Sequence, residues 1–136
     1  MNFIAFLALL TKENISNWSD FALHEFRNTL ENEPDPRSRA YHQQGPALDL
    51  RIPYVLLWLS VAGEKLFSCV VKGVGTLGES RLWKGQLREV CVERWQLWKR
   101  RFGEISRLDQ ASEETGELAR KAEYLMGIVE GGMMIE

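Results

Sequence analysis

Histidine, cysteine and proline are all scarce in this chain of 136 residues, at two, two and four copies. Cys69 and Cys91 give no disulfide framework, and neither belongs to a metal-ligand spacing. His24 and His42 have no companion cluster of Cys or Asp, so neither a metal nor a cofactor is expected. A nucleophilic pair such as Cys91 with His24 stays open on sequence. Buried structural thiols are commoner, and no local signature supports the pair. An excess of one charge is missing too. Seventeen basic against nineteen acidic residues leave −2, so whole-chain electrostatics point to neither nucleic acid nor an anionic membrane. A membrane-length apolar run at the N-terminus is also absent. MNFIAFLALL falls short of the ~20 residues a span needs, has no basic stretch ahead of it and no small-residue cleavage site behind it. It reads as a core helix, which places the chain in the cytoplasm or nucleus rather than outside the cell. The sequons at Asn14 and Asn17 then carry little weight.

What the chain does have is a normal globular share of apolar residues, 45%, and five tryptophans. The richest stretch is Cys91–Leu108, CVERWQLWKRRFGEISRL. At about 100° per residue, Cys91, Trp95, Trp98, Phe102 and Ile105 fall within about 80° of arc, with Arg100 opposite and Lys99 and Arg101 flanking. Four more helices are expected around it. The first, about Asn2–Glu13, is apolar on most sides and should be largely buried. The second runs from Asn17 or Ser19 to Asn32, capped by Ser19, with Ala22, Leu23, Phe26 and Leu30 inward. Residues 33–47 form a polar loop with Pro34, Pro36 and Pro46, long enough to be either functional or loosely ordered. Leu48–Lys72 is the most hydrophobic segment and the expected central helix, with Pro53 near its start and Glu64 at its solvent edge. The last helix begins at Ser112, has Leu118, Ala122, Leu125 and Val129 inward, and ends at Gly131 and Gly132. The expected fold is one all-α domain of about five helices in an irregular bundle, with no sheet.

Chemical signals are sparse. Gly73, Gly75 and Gly78 spell G-x-G-x-x-G, but LFSCVV before them continues a helical pattern and Gly85 interrupts what should be the phosphate-binding helix. The glycines read better as a chain turn. Seven basic residues between Arg81 and Arg101 face only Glu89 and Glu93, while six carboxylates between Glu13 and Asp35 face only Arg27. Complementary solvated faces explain this more simply than a polyanion site. Trp95 and Trp98 suit a core, and Trp83, Trp18 and Tyr41 are the places to look for an exposed aromatic patch.

The segments AFLALLTKENISNWSDFALHEFRNTLE, IPYVLLWLSVAGEKLF, RLWKGQLREVCVERWQLWKRRFGEI and ASEETGELARKAEYLMGIVE, in that order, resemble a large fungal family of uncharacterised proteins. Its anchors are Ala62-Gly63-Glu64, Leu82-Trp83-Lys84-Gly85, Glu93-Arg94-Trp95, Trp98-Lys99 and Ser112-Glu113-Glu114-Thr115. The resemblance implies an all-helical protein with no established activity. It also implies that residues 1–136 correspond to the family's C-terminal half, and QLREVC departs from the family's usual Gly-Phe-Ser entry to the Trp helix. Absent neighbouring helices would leave apolar faces of the first and third helical segments uncovered. At roughly 25 cal/mol per Å², a few hundred Å² of such surface represents several kcal/mol and favours self-association or a protein partner.

Three functions are therefore weighed. The leading one is a non-enzymatic helical interaction or scaffold module. The second is a small-molecule-binding or accessory metabolic protein whose pocket uses Trp83, Arg94, Trp95, Trp98 and Glu64. The weakest is nucleic-acid binding through residues 81–101. A closed cavity beside Trp95 and Trp98 favours the second, whereas full burial of both rings with an apolar patch elsewhere favours the first.

Overall fold

The computed structural model describes residues 2–32, 34–73, 82–83 and 91–135. Over these it is an irregular bundle of six α-helices, and no strand occurs among the described residues. The helices are α1 (Phe3–Lys12), α2 (Ser19–Leu30), α3 (Arg39–His42), α4 (Gln44–Lys72), α5 (Val92–Ile105) and α6 (Glu113–Ile135).

α4 is the axis of the molecule, packing on α1, α2 and α6, while α5 lies across α6 and α2. Its apolar residues wrap more than one side, and Ile52, Val55, Trp58, Leu66 and Val70 are all buried to within 1%. By length and composition alone α4 could cross a membrane. Half of its most apolar window is buried against the other helices, as in the core helix of a bundle. It starts four residues earlier than the sequence suggests, at Gln44, so Pro46 falls in its first turn where a missing N–H costs nothing. Pro53 lies well inside the helix rather than at its start. It leaves the Asp49 carbonyl without its usual i+4 donor. The one break in helical geometry is elsewhere, at Ala62 (φ −126°, ψ 20°), just before Gly63. There α6 approaches so closely that a Cβ on Gly63 would meet Val129 Cγ2 at 3.2 Å. Gly73 closes α4 in the left-handed conformation (φ 67°), its N–H reaching Cys69 and Val70 carbonyls.

LFSCVV is therefore the last part of a helix, which removes the strand a dinucleotide fold requires. Gly75 and Gly78 lie outside the described residues, as do Lys84, Gly85 and most of QLREVC. The 33–47 segment is shorter as a loop than expected. Asp35 organises it through a turn in which its Oδ1 accepts the Arg37 N–H at 2.8 Å, and Ser38 then caps α3 by accepting the Tyr41 N–H at 3.1 Å.

Of the other helix ends, one follows expectation and two are corrected. Ser112 caps α6, its Oγ accepting the Thr115 N–H at 3.1 Å. Ser19 is not a cap but the buried first residue of α2, and Asn17 Oδ1 accepts its N–H at 3.0 Å. Gly131 and Gly132 do not end α6, which continues to Ile135. α1 departs furthest. Only Leu7, Ala8 and Thr11 are buried, and Phe3, Phe6 and Leu9 are 67%, 47% and 41% exposed. Helix periodicity explains why: one stripe satisfies α4, and the rest of an all-round apolar helix has nothing left to cover it.

Candidate functional site

α5 carries most of the residues singled out by sequence. Trp95 and Trp98 have no exposed surface and belong to the core. They continue a chain of rings that ties three helices together: Phe67 to Trp95 at 4.9 Å, Trp95 to Trp98 at 6.4 Å, and Trp98 to Phe26 at 5.4 Å. Phe102 completes it edge-on to Phe26. Tilted and edge-on pairs of this kind suit the ring quadrupole.

A buried indole N–H usually finds an acceptor, and those of Trp95 and Trp98 both do, whereas the equally buried Trp58 Nε1 has no partner among the described residues. Trp98 Nε1 donates to Glu31 Oε2 at 2.5 Å, and Trp95 Nε1 donates to Glu130 Oε1 at 2.7 Å. Glu31 is itself fully buried and receives Arg94 in a two-pronged pair, Nε and Nη2 each at 2.6 Å. Trp83, half-buried, lies over the same guanidinium with 5.3 Å from Cζ to the ring centroid. Glu130 also takes Lys99 Nζ at 2.8 Å and Gln96 Nε2 at 3.0 Å. Two carboxylates from α2's end and α6 thus clasp α5 from either side. Arg94 is paired with Glu31, and the constellation ties α5 to the end of α2 and to α6.

Trp83, Arg94, Trp95 and Trp98 are accordingly brought together, whereas Glu64 stands apart, exposed on α4. It borders a separate hollow with Lys12, Leu125 and Val129. Trp18 and Tyr41 do not join Trp83 in one patch; Trp18 Nε1 donates to Ser16 and Tyr41 packs on His42. In the basic run, Arg94, Lys99 and Arg101 hold Glu31, Glu130 and Glu104, and Arg100 points to solvent. Arg81, Lys84 and Arg88 lie outside the described residues. Cys69 and Cys91 are half-buried rather than buried. Burial pushes the Cys91 thiol up, which keeps it protonated and a poor nucleophile. Among the described residues no group of His, Cys, Asp and Glu is arranged to hold a metal ion.

Glu31 and Glu130 are not singled out by the sequence, whereas an uncovered apolar face on the first helix is. Glu31 is the C-cap of α2, where helical periodicity lapses, so no spacing rule reaches it. Arg94 and Arg101 did carry a signal. Seven residues apart, they share one edge of the α5 wheel beside Ile105 rather than the face opposite the tryptophans.

The α1 face is the exposed counterpart. Phe3, Phe6 and Leu9 recur every three residues on one side. Phe3 shares an open hollow of about 500 Å³ with Phe21 of α2 and Tyr54 of α4, which are 40% and 38% exposed. Glu25 is the only charged residue at this hollow among those described.

An all-α bundle with a closed aromatic core and an open aromatic face is the class of protein these features define. The sequence profile of a family described as "Protein of unknown function (DUF3632)" matches residues 1–102, and the chain belongs to that family. The matched span covers α1 to α4 and most of α5, including Glu31, Arg94, Trp95 and Trp98. No curated protein and no solved structure matches the chain.

Proposed function

We propose that the chain is a helical interaction module that associates through α1, in the first instance with a second copy of itself. The observation that supports this reading is the contrast between two sets of aromatics. Trp95, Trp98, Phe26 and Phe102 are completely enclosed, while Phe3, Phe21 and Tyr54 stand in solvent around one shallow hollow and Phe6 is exposed one turn further along α1. A contiguous apolar face of that kind on a folded surface marks an interaction site. The pocket alternative loses its support at the tryptophans, because Trp95 and Trp98 are filled against their neighbours and Arg94 is paired with Glu31. The proposal also carries the narrower resemblance to fungal proteins, in which further helices precede the corresponding segment and would cover the same face.

Sedimentation of the purified chain over a range of concentrations tests the reading. A reversible dimer that becomes monomeric in the double variant Phe3→Ser and Phe6→Ser supports it. A compact monomer at all concentrations that binds no hydrophobic dye overturns it. Both substitutions fall on exposed positions, so the variant keeps its helical circular dichroism.

A further inference from the structure

At the opposite end of α2 from the aromatic hollow, the last turn of α2, residues 34–43 and the start of α4 border a cavity of about 200 Å³. Its character is the reverse of the α1 hollow. Arg51 and Arg101 reach it from two different helices, and no acidic side chain is present among the described residues that line it. The amides of Asn28, Asn32 and Gln43 add neutral donors and acceptors, and Leu48 supplies an apolar wall.

Arg101 is the more constrained of the two arginines. It is 8% exposed, with Nε donating to the Leu30 carbonyl at 2.9 Å and Nη1 to Glu104 Oε1 at 2.7 Å. Among the described residues nothing takes its Nη2. Arg51 touches protein only through a long contact of 3.4 Å from Nη1 to the Asn28 carbonyl, and no carboxylate pairs with it among the described residues. Thr29 stands in the same wall, 3% exposed, and its buried hydroxyl has no partner among the described residues. Two guanidinium groups with N–H donors left free among the described residues, one from α4 and one from α5, are what a bound oxyanion would complete.

We propose that this cavity binds a small metabolite bearing one oxyanion, a carboxylate or a phosphate, with a body no larger than a single ring. Charge and donor geometry set the class: guanidinium groups match carboxylate and phosphate oxygens in two-pronged fashion. Volume sets the size, since a cavity of roughly 150 Å³ accommodates benzene. The site also gives the 33–47 segment a role, with Pro34, Ala40 and Gln43 forming one side of it.

The full chain, labelled for NMR, is titrated separately with inorganic phosphate, succinate and benzoate, with choline as the cationic control. Saturable shifts at the side-chain resonances of Arg51, Arg101 and Asn32 are expected from at least one anion and none from choline. The responding anion separates the phosphate from the carboxylate source. Arg51→Gln is expected to weaken that binding at least roughly tenfold, the loss of one charge-assisted contact. Ala47→Phe, which fills the cavity from an exposed position, is expected to abolish it. Arg101 is left intact because it also holds the Leu30 carbonyl. No saturable shift from any of the three anions at millimolar concentration overturns the proposal. Equal binding by choline, or undiminished binding in Arg51→Gln, overturns it as well.

Discussion

The Glu31 carboxylate accepts from Arg94 Nε and Nη2 and from the Trp98 indole N–H, and the Glu31 carbonyl accepts the Leu82 N–H at 3.3 Å. With both charges completely buried, removal of either partner leaves the other desolvated and unpaired. Such losses cost about 3–5 kcal/mol, whereas replacing both charges with apolar groups of similar volume is often neutral. Glu31→Ala and Arg94→Ala are each expected to lower unfolding stability in urea by about that amount. The double variant Glu31→Leu with Arg94→Met is expected to recover most of it. A double variant about as unstable as either single would show that the pair contributes net stability and not only specificity. Asp49 offers a milder case at the surface. The hydroxyl of Thr115 and the N–H of Ser112, at 2.6 Å and 3.0 Å, hold its carboxyl below the usual carboxylate range. A depressed folded-state value stabilises above the unfolded value, and that contribution disappears as pH falls through the folded one. Acid unfolding monitored below about pH 4 is therefore expected to be shallower in Asp49→Asn than in the parent chain.

Gly45 shows how one helix start is keyed to another. It is buried at the beginning of α4, and a Cβ there would collide with the backbone carbonyl of Gln110, the residue whose side chain also bonds Gln44. Backbone cannot give way as a flexible side chain can. Gly45→Ala is expected to lower the thermal midpoint despite the better helix propensity of alanine, because over-packing typically costs 1–3 kcal/mol. A raised midpoint in calorimetry would show that the α5–α6 connection can shift. The same contrast between local and distant causes explains how far the elements could be read from the sequence. The Trp95, Trp98, Phe102 and Ile105 stripe and the Ser112 cap depend on neighbours within one turn, and both appear as expected. The Gln44 start of α4 depends on its close approach to Gln110, so local breaker rules mislead there; α6 runs on through Gly131 and Gly132 with open space around both, and no packing contact explains that continuation. The clasp was half visible. Arg94 and the tryptophans were on the page as a pattern, but Glu31 and Glu130 reach them across 63 and 35 residues of chain. The 33–47 segment was identifiable as unusual, and its cavity was not, because Arg51 and Arg101 meet there only through the fold.

Across the molecule, buried and exposed apolar surface are distributed unequally. α4, α5 and α6 close around the ring chain, and α1 is attached along one stripe while turning Phe3, Phe6 and Leu9 outward. Association through that face would link stability to concentration, since a partner that binds the folded state stabilises it by mass action. The thermal midpoint of the parent chain is therefore expected to rise with protein concentration, and that of the Phe3→Ser, Phe6→Ser variant to stay constant. The expected size follows from area. Burying a few hundred Å² of aromatic and aliphatic surface on each of two copies at about 25 cal/mol per Å² yields roughly 10–15 kcal/mol, most of it offset by an association cost of about 4–15 kcal/mol. The sum places the dimer in a weak, reversible range, in which a concentration series shifts the population measurably. A midpoint independent of concentration in both proteins, with a single monomeric boundary in sedimentation, would leave α1 without an occupant of its own kind. The face would then have to be covered by a different chain.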